Sequence, residues 1–174
     1  MRLLGLDPGL RVTGWGVIEV HDGRLRHIGN GVVRTRSGDP IGDRLVALFD
    51  GVRAVIEEFQ PEGAAIEETF VNRNPQSALR LGLARGVVLL APAHAGLPVA
   101  EYAANQVKKS VVGAGHAAKE QVAMMVATLL PQARAESADA ADALAVAICH
   151  AHFSQSAARI AAMMPAANVA GRAR

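Results

Sequence analysis

RLLGLDPGLRVTGWGV, residues 2–17, sets a carboxylate and a turn directly after an apolar run. Leu3, Leu4 and Leu6 form a short apolar run that reads as a buried strand. Asp7 follows, and Pro8-Gly9 after it is a turn signal that stops the strand. Thr13, Trp15, Val17 and Ile18 resume a strand pattern. The unit therefore reads as a hairpin with Asp7 at its rim. A carboxylate at the end of a hydrophobic strand is desolvated and needs a positive partner. Asp7 either caps the turn, as Asp often does, or marks a metal or phosphate site, and this stretch alone does not choose.

His21-Asp22-Gly23 carries the Asp-Gly signal of a tight hairpin. It joins strands expected near Thr13–Val20 and Arg24–Thr35, which gives a three-stranded antiparallel meander. Arg36–Pro40 is a polar loop. Ile41, Leu45, Leu48, Val52, Val55 and Phe59 then alternate spacings of four and three, so they form one helical stripe with Asp43, Arg44, Asp50, Arg53, Glu57 and Glu58 off it. Gln60-Pro61 ends that helix. Ala64, Ala65 and Ile66 make a second buried strand that runs into Glu67-Glu68, repeating the pattern at Asp7. A strand reached through a helix usually lies parallel to its neighbour, so beside the first strand it puts Glu67 next to Asp7.

Thr69–Arg73 reads as a loop. Asn74-Pro75 is an N-cap with Pro at the first helical position. The helix Gln76–Leu90 is apolar nearly all round, with a small-residue line at Ala78, Gly82 and Gly86, so one side is free for a second subunit once the other faces the sheet. Val99–Tyr102 is a fifth strand, and Asn105–Val112 carries Lys108 and Lys109 up to a flexible Gly113–Gly115. Lys119–Leu130 is a helix. The last helix starts near Ser137, a plausible N-cap, and is expected to run to about Ser154. Asn168–Arg174 reads as a mobile basic tail. The expected division is a domain over residues 1–154 and a basic tail over 155–174.

The 174 residues suffice for one domain with a proper core, and 51% of them are hydrophobic, which excludes a disordered chain. One cysteine, Cys149, excludes an internal disulfide framework and fits a reducing compartment and a core position. No signal peptide or spanning stretch is visible, so the expectation is a soluble, cytoplasmic protein with no membrane partner. Net charge is only +2 but uneven: from Thr69 to Lys119 the single acid Glu101 faces Arg73, Arg80, Arg85, Lys108, Lys109 and Lys119. A basic surface of that kind suits a polyanion; a solvated face without a partner is the commoner cause of any one charge cluster.

Asp139 and Asp142 lie three apart at the start of the last helix and share a face. Their proximity to the positive helix end explains one Asp well and two less well. With Asp7 and Glu67, four carboxylates converge from two strand ends and a helix start. Like charges so placed drive one another toward protonation. Hard divalent cations, Mg²⁺ or Mn²⁺, resolve this with oxygen ligands, and two such ions are the usual device for in-line phosphodiester hydrolysis. The absence of His and Cys from the set argues against zinc.

GLDPGLRVTGWGV (5–17), AIEETF (65–70), SALRLGLARG (77–86), EYAANQVKKSVVGAG (101–115) and DAADALAVA (139–147) together resemble the RuvC family of Holliday junction resolvases, within the RNase H-like superfamily. The resemblance covers most of residues 3–153, in the family's order and spacing. It implies an α/β, RNase H-like fold: a mixed five-stranded sheet, three strands antiparallel and two parallel, flanked by helices. It implies a homodimeric endonuclease of DNA recombination and repair that cuts four-way DNA junctions by paired nicks, with branch-migration proteins of the RuvA and RuvB type as partners. By resemblance, Asp7, Glu67, Asp139 and Asp142 bind two Mg²⁺ or Mn²⁺ ions, Lys119 is a basic residue beside the active site, Lys108 contacts the DNA backbone, and Phe70 handles bases at the junction centre. Arg73, Arg80 and Lys109 are further candidate DNA contacts. Two other readings stay in view: an RNase H-like nuclease acting on structured RNA, and a phosphate-binding domain like those of actin-like and sugar-kinase ATPases, whose first phosphate loop GLDPGLRVTGWGV also resembles.

Overall fold

Strand β1 (Arg2–Asp7) lies at the centre of a five-stranded sheet. This is a computed structural model that describes residues 1–68, 74–135 and 137–163. β2 (Val12–His21) and β3 (Arg24–Arg34) extend the sheet antiparallel on one side. β4 (Gly63–Glu68) and β5 (Val99–Ala103) extend it parallel on the other, giving the order β3-β2-β1-β4-β5. The mixed sheet matches the expectation. Its hairpin closes through Asp22 and Gly23, both at positive φ, as an Asp-Gly turn of this hand requires.

Helix α1 (Ile41–Phe59) has the predicted bounds and ends on a left-handed Gln60. It shares one face of the sheet with α2 (Pro75–His94). The opposite face carries α3 (Ala104–Val112), α4 (Lys119–Leu129) and α5 (Ala138–Met163). Alternate residues of β1 serve the two layers: Leu4 and Leu6 enter the α1–α2 core, and Leu3 enters the α5 core. Cys149 is wholly buried in the α5 layer, and burial pushes its thiol up to about 11. Among the described residues, no helix is long and apolar enough to cross a membrane.

Three expectations are corrected. α2 continues through Pro92 to His94, because a proline in the last turn removes little of the hydrogen-bond ladder and here it packs in the interior. α5 runs past Ser154 to Met163, since an alanine-rich segment offers no stop before Pro165. Arg44 is buried rather than on the solvent face of α1. Its Nε donates to Thr35 Oγ1 at 3.0 Å and its guanidinium donates to the Leu10 carbonyl at 3.2 Å, which also accepts from Thr35 Oγ1 at 2.5 Å. Thr13 Oγ1 donates to the Gly9 carbonyl at 2.8 Å and accepts from the Gly9 N–H at 3.2 Å. Together these bonds pin residues 8–11, the loop next to Asp7. Arg44→Ala strips partners from buried oxygens and is expected to cost about 1–3 kcal/mol, read by urea denaturation. A loss below about 0.5 kcal/mol, the usual scale of a surface substitution, would show that the loop does not depend on it.

Candidate active site

Three glycines set how close α5 comes to the sheet. Gly5 and Gly16 pair across β1 and β2, and Gly14 pairs with Asp7. A Cβ built on Gly5 would lie 2.1 Å from the Ala143 carbonyl oxygen, and one on Gly14 would lie 2.0 Å from that of Asp139. A Cβ on Gly16 would meet the Leu144 side chain at 2.7 Å. Only a strand without side chains at these points lets the helix backbone rest on it. The contact residues of α5 are correspondingly small, Ala140, Ala143 and Ala147 among them. This close seat brings the first turn of α5, with Asp139 and Asp142, to the end of β1 that carries Asp7. The Ser137 hydroxyl accepts from the Ala140 N–H at 3.1 Å, so the predicted N-cap starts the helix there.

Glu67 comes from the neighbouring strand. Leu6 pairs with Ile66 in parallel register, so Asp7 and Glu67 follow at the same edge. Burial, and then the charges of Glu67, Asp142 and Asp139, push the Asp7 carboxyl from its ordinary 3.8 to about 7, with Lys119 opposing. Glu67 is raised as well, first by burial and next by Asp142, while Lys108 and Lys119 pull the other way. The structure thus brings the four predicted carboxylates into one electrostatic cluster. Among the described residues, no three His, Cys, Asp or Glu side chains close into a ready-made metal cage. Lys119 Nζ sits on Asp142 Oδ2 at 2.7 Å, so one of the four carboxylates is already ion-paired. That bond, more than any other influence, raises the Lys119 ammonium above its usual range.

A cleft of about 220 Å³ opens beside the cluster, lined by Glu67, Lys108, Lys119 and Asp142 with Val107 and Val122 beneath. Lys108, on α3, and Lys119, at the start of α4, are therefore brought to the carboxylates. Lys109 is not: it lines a separate cleft with Gln106, Ser110 and His152. Arg80 lies exposed on α2. Phe70 and Arg73, with the expected loop Thr69–Arg73, and the expected tail Asn168–Arg174 lie outside the described residues. Arg85, counted in the basic stretch, is taken up by an ion pair with Glu101, so that part of the uneven charge is neutralised within the fold. Sequence reasoning misses the seating glycines and Arg44. The spacing Gly5, Gly14, Gly16 beside an alanine-rich helix is the signal that points to the glycines.

A β3-β2-β1-β4-β5 sheet with carboxylates at the ends of β1 and β4 and at the first turn of the helix crossing them defines an RNase H-like protein. The family model described as crossover junction endodeoxyribonuclease RuvC matches residues 3–150. The chain belongs to the RuvC family. The crossover junction endodeoxyribonuclease RuvC of Paramagnetospirillum magneticum is 66% identical over 152 residues, 87% of this chain and 92% of that protein. Thermus thermophilus RuvC in complex with Holliday junction substrate superposes with a TM-score of 0.84 at 38% identity, covering 90% of this chain and 96% of that one. The yeast mitochondrial Holliday junction resolvase Ydc2, at 12% identity and a TM-score of 0.66 over 90% of this chain and 80% of its own, shares the fold. These relatives favour the junction-nuclease reading over the RNA-processing and ATPase-like ones.

Proposed function

We propose that this chain is a divalent-metal-dependent, structure-selective endodeoxyribonuclease that resolves four-way DNA junctions by paired symmetric nicks. The observation that carries the reading is the convergence of Asp7, Glu67, Asp139 and Asp142 beside Lys108 and Lys119, in a chain of the RuvC family. The donor set is all oxygen, and an Asp7 carboxyl raised to about 7 by burial and like charge is the electrostatic strain that divalent cations relieve. The four carboxylates would hold two ions, Mg²⁺ or Mn²⁺, whose chemistry when bound is Lewis-acid activation of phosphodiester hydrolysis. Lys119 holds Asp142 in place through its 2.7 Å ion pair. It and Lys108 also offer positive charge where a backbone phosphate meets the cleft. Phe70 stacks on an unpaired base, and Arg73, Arg80 and Lys109 add backbone contacts. The nuclease fold takes in residues 1–154, with the end of α5 continuing beyond it toward the basic tail; the protein works in the cytoplasm, and branch-migration proteins of the RuvA and RuvB type deliver the junction.

The test is incubation with labelled four-way junction, plain duplex and structured RNA, with and without Mg²⁺. Symmetric, ligatable nicks in the junction alone, dependent on the cation, are expected. Cutting of RNA or duplex in preference to the junction would sink the reading.

Paired nicks need two sites related by a two-fold axis, as in a symmetric homodimer. α2 supplies the surface. Leu79, Leu83 and Leu90 are 68%, 43% and 54% exposed, too much apolar area along one helix face to leave wet. Gly82 and Gly86 lie on the same helix with open space above them, which permits close approach of a second backbone. Gly86→Glu is expected to give folded monomers that no longer yield ligatable products, read by sedimentation at micromolar concentration. A wild type that sediments as a monomer, free and on the junction, would refute the dimer.

A further inference from the structure

A second polar cleft lies on the other flank of the carboxylates from Lys108 and Lys119. It encloses about 320 Å³ and is lined by Asn30, Val32, Arg34, Arg134, Ser137 and Ala140. The sheet register locates it. Asp7 pairs with Gly14, and Gly14 pairs with Val32. Directly opposed residues of an antiparallel ladder share a face, so Val32 projects to the same side as Asp7. Asn30 and Arg34, two residues either way, project there too. With strands about 4.8 Å apart, Val32 stands roughly 10 Å across the sheet from Asp7. Ser137 and Ala140 bracket Asp139, so the cleft and the carboxylate cluster share the first turn of α5.

The chemistry of the lining selects an anion. Two exposed arginine side chains, Arg34 and Arg134, line one small space, and a guanidinium is a planar fork of N–H donors suited to phosphate oxygens. Arg26, Arg53 and Arg85 are engaged by Glu19, Glu57 and Glu101. Neither Arg34 nor Arg134 has a carboxylate partner among the described residues. The Asn30 amide is oriented by a 2.8 Å hydrogen bond between its Nδ2 and His27 Nε2. The positive end of α5 adds to the field.

We propose that Arg34 and Arg134, with Asn30 between them, clamp a backbone phosphate of the DNA arm that leaves the carboxylate cluster on the β3 side. This rests on the nuclease reading above. The DNA strand then runs across the end of the sheet from Lys108 and Lys119, over the carboxylates, to the two arginines. Cations on both flanks hold the strand down over a centre that would otherwise repel it. The clamp reads backbone rather than sequence, so it acts alike on every junction.

The test is the salt dependence of junction binding in EDTA, for wild type, the Arg34→Gln/Arg134→Gln double variant and the Arg34→Lys/Arg134→Lys double variant, each first shown to melt at the wild-type temperature. The glutamine pair is expected to weaken binding and to make the slope of log K against log salt shallower by about 0.9 for each phosphate the protein no longer neutralises. The lysine pair is expected to keep most of the wild-type slope. A glutamine pair with wild-type slope and affinity would overturn the clamp while leaving the nuclease reading intact. So would a lysine pair whose slope is as shallow as that of the glutamine pair, because the effect would then not be one of charge. A wild type that does not bind the junction would overturn both the clamp and the reading it rests on.

Discussion

Asp7→Asn is expected to abolish junction cleavage, by about 10³-fold or more, while leaving junction binding intact and making the cation-free protein more stable at pH 8. The loss of rate corresponds to roughly 4 kcal/mol of transition-state stabilisation, within the range a catalytic metal site supplies. Binding survives because removing a negative charge near phosphates cannot weaken electrostatic attraction to DNA. The stability gain follows from proton linkage. The Asp7 carboxyl titrates near 3.8 when exposed and near 7 in the folded chain, chiefly through burial and then through the charges of Glu67, Asp142 and Asp139. Between those values the folded state holds a proton that the unfolded state has released. Stability therefore falls as pH rises through that window, and the full cost stands above about pH 7. The shift corresponds to roughly 2–4 kcal/mol once screening is allowed for. In EDTA, Asp7→Asn should melt above wild type at pH 8, and the gap should shrink toward pH 5. Adding Mg²⁺ should raise the wild type and leave the variant behind. A variant that cuts at the wild-type rate, or a melting gap independent of pH, would remove Asp7 from the cluster.

Gly5→Ala is expected to destabilise the protein by more than about 4 kcal/mol, a large part of the 5–15 kcal/mol that holds a domain of this size together. The added methyl would stand 2.1 Å from the Ala143 carbonyl oxygen and 2.5 Å from the Ala147 nitrogen. Both are backbone atoms in the middle of α5, and close-packed interiors have no slack to move them. Gly14→Ala meets the Asp139 carbonyl at 2.0 Å, but at the first turn, where the helix end can shift. A smaller loss of stability is expected there, with a large loss of cleavage, because the shift carries Asp139 away from Asp7. Gly63→Ala is the control: its new methyl would meet nothing nearer than 3.6 Å. Thermal melts and cleavage rates on the three variants separate the cases. Equal melting temperatures for Gly5→Ala and Gly63→Ala would show that the close seat of α5 is not what holds it to the sheet.

Much of the fold is legible in the chain because it is written in local signals. The meander, the bounds of α1, the parallel β4 and the N-caps at Asn74 and Ser137 each rest on periodicity, turn chemistry or capping, and all appear. Helix ends are less legible. The sequence pattern ends α2 at Leu90 and α5 near Ser154, whereas they run on to His94 and Met163. Arg44 reads as a solvent-facing residue because its charge outweighs its position in a sequence pattern. Its guanidinium is buried because the Leu10 carbonyl and the Thr35 hydroxyl are there to receive it.

The order of elements, the strand ends that carry Asp7 and Glu67, and the helix start that carries Asp139 and Asp142 are all written in the local order of residues. Carboxylates that break apolar runs are visible without coordinates. Which charges share a field depends on the folded chain: Lys119 pairs with Asp142, Arg85 is neutralised by Glu101, Lys109 lines another cleft, and Arg34 and Arg134 share one. Coulomb interactions depend on distance through space and on what has been desolvated. Those distances exist only once Gly5, Gly14 and Gly16 let α5 settle onto the sheet.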